Sequence, residues 1–159
     1  MMSSGKKYFR YSLIGGVALM FSVGAAHAAS ETMPSACDNA QFLRDQQNFL
    51  QNGATGADLP EHICGQVVAV APRAKQTRSG WHGFFYVNVG AGVSIRIVSD
   101  LDRMNAPAWP WVHKQDQVEV QGRYYFDNLR SQGIDWTHHG TGRSWAWGGF
   151  VVVNGQHYE

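Results

Sequence analysis

Residues 116–126 read DQVEVQGRYYF, and the spacing of their apolar side chains decides the fold. Val118, Val120, Gly122, Tyr124 and Phe126 fall on one side of an extended chain, and Glu119, Gln121, Arg123 and Tyr125 fall on the other. An extended strand sorts such a sequence into an apolar face and a polar one, because successive side chains point to opposite faces. A helix would scatter the same residues around its circumference.

The same period of two runs outward from this strand. GFFYVNVG at 83–90 places Phe85, Val87 and Val89 on one face, VSIRIVS at 93–99 turns Val93, Ile95 and Ile97 inward, and GQVVAVAP at 65–72 is an apolar strand. Toward the C-terminus, GIDWTHH at 133–139 adds a fifth strand with Ile134, Trp136 and His138 on a shared face. GFVVVNGQHYE at 149–159 reads as a hairpin about Asn154-Gly155, a dipeptide that accepts the positive φ angles of a type I′ turn. The connections at 73–83 and 100–115 are long and polar or proline-rich, so no regular strand is expected in them.

One segment has a different period. SACDNAQFLRDQQNFLQNG, residues 35–53, carries Phe42, Leu43, Phe49 and Leu50 at helical spacing, begins with Ser35 and Asp38 in a capping arrangement and stops at Asn52-Gly53. Short strands with turn signals and a single helix predict a mainly β fold, a small five- to six-stranded antiparallel OB-like barrel with one N-terminal α-helix.

Residues 1–28 read as an export signal. Lys6, Lys7 and Arg10 are followed by an apolar run from Tyr11 to Ala26, and Ala26-His27-Ala28 offers the small residues that a signal peptidase requires. Cleavage after Ala28 leaves residues 29–64 as the helix and its tethered segment and 65–159 as the barrel, with no later run long enough to span a bilayer. The remaining chain is periplasmic or secreted. Cys37 and Cys64 then meet an oxidising compartment and are expected to pair, joining the helix to the first strand.

Removing the signal takes three of the thirteen Lys and Arg residues and none of the twelve acids, leaving a formal charge of −2. That balance disfavours a general nucleic-acid binder. No Gly-x-Ser-x-Gly elbow, phosphate-binding glycine loop or His-Glu-x-x-His motif is present.

The stretch GIDWTHHGTGRSWAWGGF, 133–150, admits several readings. In one, Trp136 and Trp147 plug an end of the barrel while His138 bonds a backbone carbonyl. In a second, His82, Asp135 and His138 converge on a divalent metal, and His139, its neighbour, points the opposite way along the strand. A third uses the outer barrel face, where His82, Phe84, Tyr86, Arg96, Arg123 and Tyr125 interleave aromatic and polar groups as a stacking platform, beside Trp136, His138 and His139. The N-terminal helix could instead cover those aromatics.

GWHGFF at 80–85, DQVEVQGRYYF, and GIDWTHH followed by GGFVVVNGQHY resemble the exported bacterial family of domain of unknown function 3465, over most of the chain from about Gly65. The resemblance implies an OB-like barrel and an exported location, and it carries no activity. Asp135 and Gly140 stand where that family's pattern has a histidine and an aspartate.

The function expected is a ligand- or partner-binding module of the cell envelope without a cofactor, with oligosaccharide favoured over nucleic acid because of the near-neutral charge. The alternative is a metal-dependent hydrolase using His82, His138 and Asp135, or a nuclease with Arg96, Asp135 or Arg143 near a divalent cation.

Overall fold

The computed structural model describes residues 32–53 and 58–159; the export signal expected at 1–28 lies outside them. Helix α1, Asn39–Asn52, precedes β1 (Leu59–Val70), β2 (Lys75–Thr77), β3 (Gly80–Gly90), β4 (Val93–Asp100), β5 (Gln117–Asn128), β6 (Ser131–Asp135), β7 (Phe150–Val153) and β8 (Gln156–Tyr158).

β1 pairs antiparallel with both β3 and β5, β3 with β4, and β5 with β6. A parallel contact at Ile97 and Ile134 joins β4 to β6 and completes a ring of five strands. β7 and β8 extend the sheet beyond β5. The ring needs one strand with two partners. β1 faces β5 through Leu59 to Gln66 and β3 from Gln66 onward. At the changeover a Cβ on Gly65 would lie 2.0 Å from the Asn88 carbonyl oxygen, so only glycine fits there.

The inward faces are those the alternation predicts. Phe85, Val87, Val89, Ile95, Ile97, Val118, Val120, Tyr124 and Ile134 are buried, with Val93 and Phe126 packed partly buried at the edge of the same core. α1 closes one end, with Phe42 edge-on to Tyr124 and Phe49 against Tyr124 and Phe126. Leu50 stays exposed. The 101–116 connection supplies Met104, Trp111 and Val112 to the core, with Trp111 against Phe85 and Tyr158. Among the described residues no helix is long and apolar enough to cross a membrane.

Several boundaries differ from the sequence reading. β1 starts at Leu59 rather than Gly65, so Cys64 lies within the strand and the boundary expected at 64/65 cuts through it. Glu61 and His62, polar but buried, hide the alternation of Leu59 and Ile63. The helix cap is Asp38, whose side chain accepts from the Gln41 N–H at 2.8 Å, and Ser35 lies ahead of it. The 73–83 connection holds a short strand, β2, which pairs with the start of β3. The fifth strand ends at Asp135: Trp136 has φ 53°, a left-handed conformation that ends the alternation.

The disulfide expected between Cys37 and Cys64 is present. Around it the Asp38 N–H donates to the His62 carbonyl at 2.7 Å. The Asn39 amide both donates to and accepts from the Cys64 backbone, and also donates to the Val89 carbonyl. These bonds satisfy backbone groups where β1 parts from one neighbour and reaches the next.

One interior group stands apart. Glu61 is wholly buried, and neither of its carboxyl oxygens has a hydrogen-bond partner. Asp45 of α1 is buried beside it. Loss of hydration first, and then the Asp45 charge, push the Glu61 carboxyl up to about 9. Burial raises Asp45 as well.

Candidate functional site

Because α1 packs against Tyr124 and Phe126, it leaves the outer face of β3 and β4 uncovered. The period that turns Phe85 and Val87 inward turns His82, Phe84 and Tyr86 outward. Register then builds the face across strands: Phe84 lies opposite Val98 and Tyr86 opposite Arg96, while on β5 and β6 Arg123 lies opposite Asp135 and Tyr125 opposite Gly133.

A cleft of about 310 Å³ opens on this face, the lower end of the range for small-molecule sites. Phe84, Val98 and Tyr125 line it from the sheet. The β2–β3 hairpin contributes Thr77, Ser79 and His82, the end of β4 contributes Asp100, and Arg103, Trp136 and His138 line it from the segments after β4 and β6. Arg123 and Asp135 complete the lining.

Their pairing is fork to fork. Arg123 Nε and Nη2 donate to the two Asp135 oxygens at 2.7 Å each, and Nη1 reaches Asp58 at 3.2 Å. The bond to Asp135 holds the guanidinium more strongly protonated than usual. That plane lies 5.7 Å from the Trp136 ring, with the Arg103 guanidinium at 6.0 Å from the same ring, within cation–π range. The His138 ring packs against Trp136 at 5.0 Å. Trp136 itself is half-buried, its Nε1 donating to the Gly140 carbonyl at 3.0 Å.

The glycines of this stretch make room for the indole and for the chain that carries it. A Cβ at Gly149 would sit 1.9 Å from the Trp136 carbonyl oxygen, and one at Gly142 would sit 2.7 Å from the indole ring. The buried tryptophan here is Trp145, while Trp147 and Trp136 are half-buried, so the plug expected from Trp136 and Trp147 does not form. Its cause is the turn at Trp136, which directs the ring into the cleft.

Both cleft histidines are buried and already bonded. His82 Nδ1 lies 3.0 Å from the Gly80 carbonyl and 3.2 Å from Thr77 Oγ1, and His138 Nδ1 lies 2.8 Å from the His139 carbonyl. His82, Asp135 and His138 line one cleft, yet their ligand atoms do not all come within 4.8 Å of one another. Both Asp135 oxygens serve Arg123.

Of the residues singled out in the sequence, the cleft gathers His82, Phe84, Arg123, Tyr125, Asp135, Trp136 and His138. Tyr86 is exposed beside it, and Arg96 bonds and stacks on Tyr125. His139 is exposed and lines a neighbouring hollow of about 430 Å³, with Arg103, Trp136 and His138 as the shared wall. Arg143 is exposed and lines neither. Thr77, Ser79, Val98, Asp100 and Arg103 are additions that the sequence did not mark, because each reaches the cleft through a turn or strand pairing distant in the chain. Arg103 and Asp100, 3.4 Å apart, balance each other's charge as Arg123 and Asp135 do.

The fold and the cleft define a mainly β domain, five of whose eight described strands close into a ring, with an aromatic, charge-balanced groove on its outer face. No protein-family model matches the chain, and a search of curated proteins returns no relative.

Proposed function

We propose that the protein is an exported OB-like module that binds a neutral oligosaccharide of the cell envelope in the cleft bounded by Trp136 and the Arg123–Asp135 pair. The observation that carries this reading is the half-buried Trp136 indole, set beside a planar, charge-paired guanidinium and carboxylate. An aromatic face stacks on the apolar face of a sugar ring, and the paired arginine, aspartate and histidine groups offer hydrogen bonds to its hydroxyls.

Charge supports a neutral ligand over a polyanion. The two arginines of the cleft are matched by Asp100 and Asp135, whereas a nucleic-acid groove carries an excess of cations. The OB-like reading is supported by the ring order: the first ring strand pairs with the second and fourth, and the third runs parallel to the fifth. In OB-folds the face of the second and third strands binds oligosaccharides or oligonucleotides, and Phe84 and Val98 lie on the corresponding strands. Exported location is supported by the disulfide, by the signal-like residues 1–28 and by the likeness to domain of unknown function 3465.

The test is a thermal-shift screen of the purified protein against neutral chitin and cellulose fragments, single-stranded oligonucleotides and divalent cations. Stabilisation by a neutral glycan alone supports the reading. Stabilisation by oligonucleotide or metal alone overturns it.

A further inference from the structure

A second cluster takes no part in lining the cleft. His62 and Cys64 are two residues apart on β1 and share a face, and Glu119 on β5 lies directly opposite Cys64. The segment ahead of α1 brings Cys37 over the same face. The ligand atoms of Cys37, His62 and Glu119 all lie within 4.8 Å of one another, and the Cys64 sulfur is bonded to that of Cys37.

We propose that when the Cys37–Cys64 bond is reduced, Cys37, Cys64, His62 and Glu119 form a four-ligand site for a divalent ion of the zinc class. The donor set is two sulfurs, one imidazole nitrogen and one carboxylate oxygen, which suits a tetrahedral borderline-soft cation. Ligands on one such ion lie roughly 3.3 to 3.8 Å apart, so closure requires a shift of about an ångström.

His62 is already arranged as a ligand. Its Nδ1 lies 3.0 Å from the Pro34 carbonyl, so the N–H there donates to backbone, and its Nε2 shares a proton with Glu119 Oε1, 2.7 Å away, in the place the ion would take. A ligating histidine is ordinarily fixed in this manner, with the second ring nitrogen donating to a carbonyl. His62 is buried, Glu119 is partly exposed, and Cys37 is exposed, which gives reductant and metal a path to the sulfur.

The chemistry balances. A dithiol reductant gives two electrons and two protons to the S–S bond, yielding two thiols, and becomes a disulfide itself. The ion then displaces both thiol protons and the proton held between His62 Nε2 and Glu119, and two metal–sulfur bonds replace the sulfur–sulfur bond. Oxidation by a disulfide-forming oxidant reverses the sequence and expels the metal. In either state the segment ahead of α1 stays pinned to β1, so the two cross-links are alternatives at one corner of the fold.

The experiment is anaerobic titration of the purified protein with Co2+ after reduction by a phosphine, followed by Zn2+. The expected result is one equivalent of Co2+ bound with a sulfur-to-cobalt charge-transfer band and the strong visible absorption of tetrahedral cobalt, both lost on adding Zn2+ and both absent from the oxidised protein. His62→Ala should weaken binding by more than the roughly 10- to 100-fold that loss of an outer partner costs. Glu119→Gln, at a half-exposed position, should weaken it as well and decides the matter if His62→Ala does not fold. Absence of the sulfur band, wild-type affinity in Glu119→Gln, or a reduced protein that unfolds and is not restored by metal overturns the proposal.

Discussion

Replacing Glu61 by glutamine should stabilise the protein and remove a pH dependence. Glu61 is wholly buried with no hydrogen-bond partner, beside a second buried acid, Asp45. Its folded value, about 9, lies above the ordinary 4.5, so the native state holds a proton that the unfolded chain has released at neutral pH. Stability from this group is therefore complete below about pH 4.5 and is lost as pH rises toward 9. The slope is about 1.4 kcal/mol per pH unit, which amounts to about 3 kcal/mol between pH 6 and 8. Glutamine keeps the shape of the protonated acid but has no proton to lose. Urea unfolding of both proteins at pH 6, 7 and 8 and constant ionic strength reads the difference directly. Glu61→Gln should exceed wild type by about 3 kcal/mol at pH 7, with the gap widening toward pH 8. A variant less stable than wild type at pH 8, or one with the same slope, would refute a buried, protonated Glu61.

The disulfide closes a sequence separation of 27 residues, so the Cys37→Ser, Cys64→Ser double variant should lose roughly 2 to 4 kcal/mol in denaturant unfolding while its far-ultraviolet circular dichroism stays that of a β protein. Gly149→Ala would drive a methyl to 1.9 Å from the Trp136 carbonyl oxygen, and its melting temperature should fall far more than that of Gly148→Ala, where the nearest atom to the added carbon lies 3.5 Å away. Trp145, 3% exposed, should cost about 3 kcal/mol on truncation to alanine, against about 1 kcal/mol for the half-buried Trp136; equal losses by calorimetry would return Trp136 to a packing role.

The inward faces of β3, β4 and β5 were legible because their apolar residues recur strictly every second position. The first half of β1 was not, since Pro60, Glu61 and His62 look like a loop until the fold supplies a protonated carboxyl and a carbonyl–imidazole–carboxylate chain to accommodate them. β2 is three exposed polar residues that form a strand only against β3. The aromatic and arginine residues of the cleft could be proposed from their facing, but not gathered. What gathers them is the parallel contact of β4 with β6 and the left-handed turn at Trp136, and neither is encoded in a local period. Glu119 shows the reverse case. The period places it on the polar side of its strand and says nothing of a partner, and the structure holds it 2.7 Å from His62.

Calorimetric titration of a neutral chitin or cellulose fragment into wild type and Trp136→Ala, at matched folded content, tests the central claim most directly. The account predicts saturable binding to wild type that changes little between low and moderate salt, as suits a neutral ligand, and that is lost in Trp136→Ala without loss of the fold. Equal binding by the two proteins, or wild-type binding confined to single-stranded oligonucleotides and steeply weakened by salt, would contradict it.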